Sequence, residues 1–221
     1  GDWIVLKEGE TEFVGYDFTE FETSILRYRS VKQKNGTIWQ IVLDKTPFYA
    51  EMGGQVGDQG IILVNGFEIN VVNTFKLPNG QHAHVADTKG VELSLNQVIN
   101  LKVDQEYRLN VSKNHSATHL LNEALRQVIG SHVYQQGSNV SDDVLRFDFN
   151  NFSNLTNEEI LAVEKLVNEQ IKKEIDVKTN EMPLDEAKKL GVQAVFGEKY
   201  GNIVRVVDMD FSKELCGGTH V

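Results

Sequence analysis

Near Asn114 the pattern of the chain changes from short β-branched segments broken by turns to the spacing of an amphipathic helix. Before that point, from Trp3 to about Asn110, Thr37 to Leu43 and Gly60 to Val64 are rich in β-branched and aliphatic residues. Asn35-Gly36, Asn65-Gly66 and Asn79-Gly80 are turn dipeptides that supply the positive φ angles of tight hairpins. Strands at this spacing predict a small barrel or sandwich with no long helix inside it.

After that point the spacing predicts a helix from Asn114, as its cap, to Ile129, with Gly130 ending it. At about 100° per residue, Ala117, Leu120, Leu121, Ala124, Leu125 and Val128 share one broad face. His115, His119, Asn122 and Arg126 form a polar stripe on the other side. Val144 to Phe149 alternates as a half-buried strand, and Thr156-x-x-Glu159 opens a second helix over about Asn157 to Glu174. A short helix is expected from Pro183 to Leu190 and a last strand from Ile203 to Val207. The fold class is therefore α+β: a small N-terminal β-barrel over residues 1–110, then a two-layer α/β domain over 111–221 with helices on an antiparallel sheet.

At 221 residues and 40% hydrophobic, the chain can bury a substantial core and does not read as disordered. It contains no apolar run of the roughly 18–20 residues a membrane helix needs and no signal peptide pattern, so no membrane partner is expected. A single cysteine excludes an internal disulfide and fits a reducing, cytoplasmic setting. A net charge of −10 argues against indiscriminate nucleic-acid binding, including DNA, while leaving room for a focal site. The basic groups Arg27, Arg29, Lys32, Lys34 and Lys172, Lys173, Lys178 read as solvated faces.

His115-x-x-x-His119 places two imidazoles one helical turn apart, within reach of one ion. Cys216-x-x-x-His220 sits in a segment too glycine-rich for a helix, where Gly217 and Gly218 let thiolate and imidazole converge. Together they make a mixed His/Cys set of the kind that suits one zinc ion. The HExxH glutamate of a metalloprotease is missing. Four protein ligands on spacing alone favour a closed structural zinc over a catalytic one. His82, His84 and His132 read as ordinary surface or loop histidines.

The run TPFYAEMGGQVGDQG, Thr46 to Gly60, lacks the Gly-Lys-Ser/Thr ending of a phosphate loop, and no helix pattern follows it. Bends inside a barrel explain its glycines but not the glutamine and aspartate side chains among them. A second polar stretch, Gln135, Gln136, Gly137 and Ser138, follows the histidine helix.

TPFYAEMGGQVGDQG, HSATHLLNEALRQVIGSHVYQQGS, VLRFDF, VFGEKYG and ELCGGTHV occur in an order and spacing that resemble the editing domain of alanyl-tRNA synthetase. The resemblance runs from about Phe13 to the last residue; free-standing AlaX-type editing proteins and the threonyl-tRNA synthetase editing domain share part of it. It implies hydrolysis of the ester in mischarged Ser-tRNA(Ala) or Gly-tRNA(Ala), with zinc on His115, His119, Cys216 and His220. It also implies catalytic roles for Thr118 and Gln135 and substrate contacts from Gln135, Gly53, Gly54 and Gln55. The implied partners are the tRNA(Ala) acceptor end and the remainder of a synthetase chain. Met52 departs from the serine many relatives carry. The general base stays open among Thr118, a substrate hydroxyl and a zinc-bound water. Without class II ATP-binding motifs the region is not expected to aminoacylate, and its ends suggest a domain excised from a longer chain with weak tRNA affinity of its own. The alternatives are a non-catalytic tRNA-binding module with structural zinc, and threonyl-type editing of Ser-tRNA(Thr).

Overall fold

The structure, a computed structural model, describes residues 1–87, 90, 92–94, 96–195 and 198–221. They divide into two compact units, Gly1–Met52 with Val56–Leu109, and Gly53–Gln55 with Asn110–Val221. The chain is α+β and mostly sheet.

The first unit holds β1 (Ile4–Val5), β2 (Glu12–Phe13), β3 (Glu20–Thr23), β4 (Ile25–Gln33), β5 (Gly36–Leu43) and β6 (Lys45–Thr46). It continues with β7 (Gly60–Val64), β8 (Phe67–Lys76), β9 (His82–Asp87) and β10 (Ile99–Val103). Eight of these make one antiparallel sheet in the order β1-β4-β5-β9-β8-β7-β10-β3, and β2 pairs with β6 in parallel. The sheet ends at β1 and β3, so the expected barrel is a curled half-barrel with two edges. Asn65 and Gly66, with φ of 50° and 79°, occupy the two central positions of a tight turn that sets Val64 opposite Phe67. Alternation along β10 buries Ile99, Leu101 and Val103 with Ile41, Leu43, Phe48 and Ile62. Each such side chain contributes about 1.5–3 kcal/mol when fully buried.

A buried ion pair ties this unit together. The Arg108 guanidinium donates to the Asp58 carboxylate and to the carbonyls of Gly15 and Pro47, while Asp58 also accepts the Tyr49 N–H at 2.8 Å. His82 and His84 are corrected from surface to interior: both are buried on β9. The His84 ring bridges the Ile41 carbonyl at 2.8 Å and the Thr46 hydroxyl at 2.7 Å. With its Nδ1–H given to the carbonyl, its Nε2 accepts from Thr46, so both polar atoms of a fully buried ring are satisfied. Burial, the largest influence, lowers the His84 pKa to about 4.

Helix α1 (Gln105–Val128) begins nine residues before the expected start. Asp104, directly after β10, caps it by accepting the Tyr107 N–H at 3.0 Å. Asn114 lies inside the helix, its amide donating to the Ser141 and Asp142 carbonyls. A capping residue set straight onto a strand leaves no turn signal, and an asparagine that braces a loop imitates a cap in sequence.

The second unit continues with β11 (Gln135–Val140), β12 (Leu145–Phe149), α2 (Asn157–Lys172), β13 (Lys178–Pro183), α3 (Leu184–Lys189), β14 (Ile203–Asp208) and β15 (Lys213–Leu215). The capping box of α2 is present in full: Thr156 Oγ1 accepts from Glu159 N at 3.1 Å, and Glu159 Oε1 accepts from Thr156 N at 2.9 Å. The single antiparallel sheet expected here is corrected to a β11–β12 hairpin and a separate β13-β14-β15 sheet. Several small cores replace one layer, centred on Leu125 with Val163, on Val204 with Leu215, and on Leu120 with Met209. Phe196 and Gly197 of the VFGEKYG block lie outside the described residues. No described helix is long and apolar enough to cross a membrane.

Candidate metal centre

His115 and His119 lie on consecutive turns of α1, with near-parallel rings whose centroids are 5.0 Å apart. Cys216 leaves β15, and the chain then bends so that His220 returns to the same place. One donor atom from each of the four residues falls within 4.8 Å of every other. His119 Nε2 is 2.9 Å from His220 Nε2, and His115 Nε2 is 3.4 Å from Cys216 Sγ. Donors on a tetrahedron with bonds of about 2.0–2.3 Å stand roughly 3.3–3.8 Å apart; the His115–Cys216 separation falls in that range and the His119–His220 one is shorter, while the mixed His/Cys donor chemistry fits a zinc ion.

The returning loop is held from several sides. Arg205, on β14, donates to the Cys216 and Gly218 carbonyls at 2.9 Å each. The Val221 N–H meets Ser116 Oγ at 3.1 Å, and Gly218 N–H points to Cys216 Sγ at 3.4 Å. Gly218 does not take a positive φ; its reason for being glycine is space. A Cβ there would stand 2.2 Å from His115 Cε1 and 2.6 Å from Gln55 Oε1.

Gln55 comes from the glycine-rich run and belongs to the second unit with Gly53 and Gly54. Both glycines take positive φ, 60° and 84°, and a Cβ on Gly54 would meet Ser138 Oγ at 2.2 Å. The bend lays Gln55 beside Val140 of β11, with Val140 N–H on the Gly54 carbonyl at 2.7 Å. Gln55 is fully buried, and its Oε1 accepts from His115 Nδ1 at 2.7 Å and from Thr219 N–H at 2.9 Å. Its Nε2 donates to Thr219 Oγ1 at 2.8 Å, and that hydroxyl also pairs with Ser112 at 2.8 Å. The substrate contact expected of Gln55 thus competes with an amide occupied at both ends.

Glu214, unassigned in the sequence, accepts from His119 Nδ1 at 2.5 Å and from Asn122 Nδ2 at 2.7 Å. Two signals for it existed: Asn122 continues the His115, His119 stripe, and Glu214 stands two residues before Cys216 on a strand. The polar stripe opposite the apolar face of the helix is buried at His115, His119 and Asn122. Burial, the largest single influence, opposes charge on His119, but the Glu214 carboxylate and Cys216 together outweigh it, and the ring is pushed up to about 10. Burial likewise opposes ionisation of Cys216, but hydrogen bonds from the three histidines pull the thiol well below its ordinary range. A thiolate is the form that binds a metal.

Thr118 is buried and donates to the Asn114 carbonyl at 2.7 Å. Gln135 is half-buried at the start of β11, beside a bulge, with its amide on Ser138 Oγ at 3.0 Å. Among the described residues the hydrogen bonds around the four donors take in Gln55, Ser112, Thr219, Glu214 and Asn122 but do not reach Gln135.

Residues 4–107 match the family model described as tRNA synthetases class II (A), a match that stops before the histidine pair. The whole chain is 56% identical to an alanine–tRNA ligase of Bacteroides fragilis and 54% identical to that of Bacteroides thetaiotaomicron, covering 25% of each. Against the alanine–tRNA ligase of Staphylococcus epidermidis it is 47% identical over 97% of this chain and 25% of the relative. Across its length the chain matches one region of the alanine–tRNA ligases. It spans about a quarter of the length of these relatives. In this ligase region the family match and the His/Cys cluster fall on different stretches, residues 4–107 and 115–220.

Proposed function

We propose that the chain is the proofreading region of an alanine–tRNA ligase, hydrolysing the ester of Ser-tRNA(Ala) or Gly-tRNA(Ala) at a zinc site. The observation that carries this reading is the convergence of His115, His119, Cys216 and His220 donors within 4.8 Å, in a chain that matches this region of the ligases. A synthetic site sized for alanine cannot exclude glycine and penalises an added hydroxyl weakly, so a second, hydrolytic site supplies the missing selectivity. His115, His119, Cys216 and His220 would hold the zinc, which would supply Lewis-acid polarisation of the ester carbonyl.

The protein's own part is orientation. Gln55 and Glu214 each hold a histidine ring, and Arg205 and Ser116 fix the loop that carries Cys216 and His220. Thr118, its proton given to a helix carbonyl, keeps a lone pair to accept from substrate and is a poor base. Gln135, on the strand that runs beside Gly54 and Gln55, is assigned to binding the misacylated end, with Gly53 and Gly54 shaping that edge. The partners are the tRNA(Ala) acceptor end and the rest of the ligase, and a thiolate ligand suits the reducing cytoplasm.

Deacylation of Ser-tRNA(Ala), Gly-tRNA(Ala) and Ala-tRNA(Ala) by the zinc-loaded chain tests the reading. Preferential hydrolysis of the first two is expected; equal rates, or none, would sink it. Four protein donors also suit a closed structural zinc in a tRNA-binding module. Cys216→Ala separates the two, because a structural site unfolds without its metal whereas an editing site stays folded and loses deacylation.

A further inference from the structure

An imidazole can turn either ring nitrogen to a metal, and the partner of the other nitrogen decides which. We propose that Gln55 and Glu214 are positioning residues that fix Nε2 of His115 and His119 as the metal-facing atoms, and leave His220 as the ligand that yields to substrate. The proposal rests on the zinc-site reading above and goes beyond it by assigning unequal roles to the three histidines.

The Gln55 amide has only one orientation that satisfies its neighbours. The atom facing His115 also accepts the Thr219 N–H at 2.9 Å, so it is the oxygen, while the other end donates to Thr219 Oγ1. His115 Nδ1, 2.7 Å from that oxygen, must therefore carry a proton, and only Nε2 is left with a lone pair. Glu214 does the same for His119 with a carboxylate whose second oxygen is engaged by Asn122. Both partners are buried, so no water competes for the two Nδ1–H groups.

His220 differs. Its Nδ1 is buried and has no hydrogen-bond partner among the described residues. Its place is set by the loop backbone, and among the described residues no hydrogen bond reaches the ring from behind, through Nδ1. A ring without that second anchor turns away at lower cost than its two neighbours. A set of four protein donors becomes an open site only if one of them gives way.

Zinc affinity of the chain, measured by chelator competition, and long-range ¹H–¹⁵N spectra of the zinc-loaded histidines test this. In the wild type, His115 and His119 should both show Nδ1–H with the metal at Nε2. Glu214→Leu and Gln55→Leu should each lose about 10–100-fold in zinc affinity. Glu214→Gln and Gln55→Glu, which keep an acceptor oxygen, should recover most of that loss and the Nδ1–H signal. His220→Ala should retain zinc at least ten times more tightly than His119→Ala does. Coordination through Nδ1 at either helix histidine overturns the proposal, as do leucine variants that bind zinc like the wild type or a His220→Ala chain no better than His119→Ala. These readouts do not involve deacylation. A chain that shows them but treats Ser-tRNA(Ala) and Ala-tRNA(Ala) alike overturns the editing reading alone.

Discussion

Gly218 shows how much one hydrogen atom in place of a methyl group decides at the metal centre. Its neighbours are the ring of His115 and the oxygen of Gln55, both already committed, so an added Cβ has nowhere to go. Gly218→Ala is expected to push His115 off its partner and to lower zinc affinity at least tenfold, read by chelator competition, with helix content by circular dichroism unchanged. The four donors were legible as residue types at a spacing. The partners behind them were not, since Gln55 and Glu214 lie 60 residues before His115 and 95 residues after His119. An amide in a glycine-rich run reads as a substrate contact until its burial is known.

At the scale of elements, α1 is the rigid carrier of two donors, and its length was underestimated at the N-terminal end. Asp104→Ala removes the cap and should cost about 1 kcal/mol. In a chain of this size that is a fall of about 2–4 °C in Tm, measurable by thermal denaturation. Zinc affinity should not change, because His115 lies well inside the helix and frays with neither end. The α2 capping box was readable because it is local: residues three apart satisfy each other's backbone. The start of α1 was hidden because its competing signal, Asn114, braces a distant loop at Ser141.

For the whole molecule, the half-barrel unit carries a pH dependence independent of the metal. The unfolded His84 titrates near 6.5 and the folded one at about 4, so its folded pKa is depressed. Stability from this residue is complete above pH 6.5 and is lost as the pH falls toward 4, because the unfolded chain takes up the proton first. The full span amounts to about 3 kcal/mol. Urea denaturation at pH 7.0, 5.5 and 4.5 should show that decline. His84→Gln, less stable at pH 7, should show a shallower one; equal slopes would contradict the assignment. Reading His82 and His84 as surface residues failed because alternation along β9 does not say which face is covered, and here consecutive residues of both faces are buried.

The amino-acid sequence by itself determined the α+β class, the hairpin turns, the capped second helix and the four donor residues. Each depends on chemistry within a few residues or on side chains of unmistakable type. Tertiary structure alone decided that the sheet stays open at β1 and β3, that the polar stripe of α1 faces inward, and that Gly53–Gln55 joins the unit that holds the His/Cys cluster. It also decided which histidines are held through Nδ1 and which is not. The reason is physical: a hydrogen bond in a buried site is set by three-dimensional proximity and the exclusion of water, and neither is written in the spacing of residues along the chain.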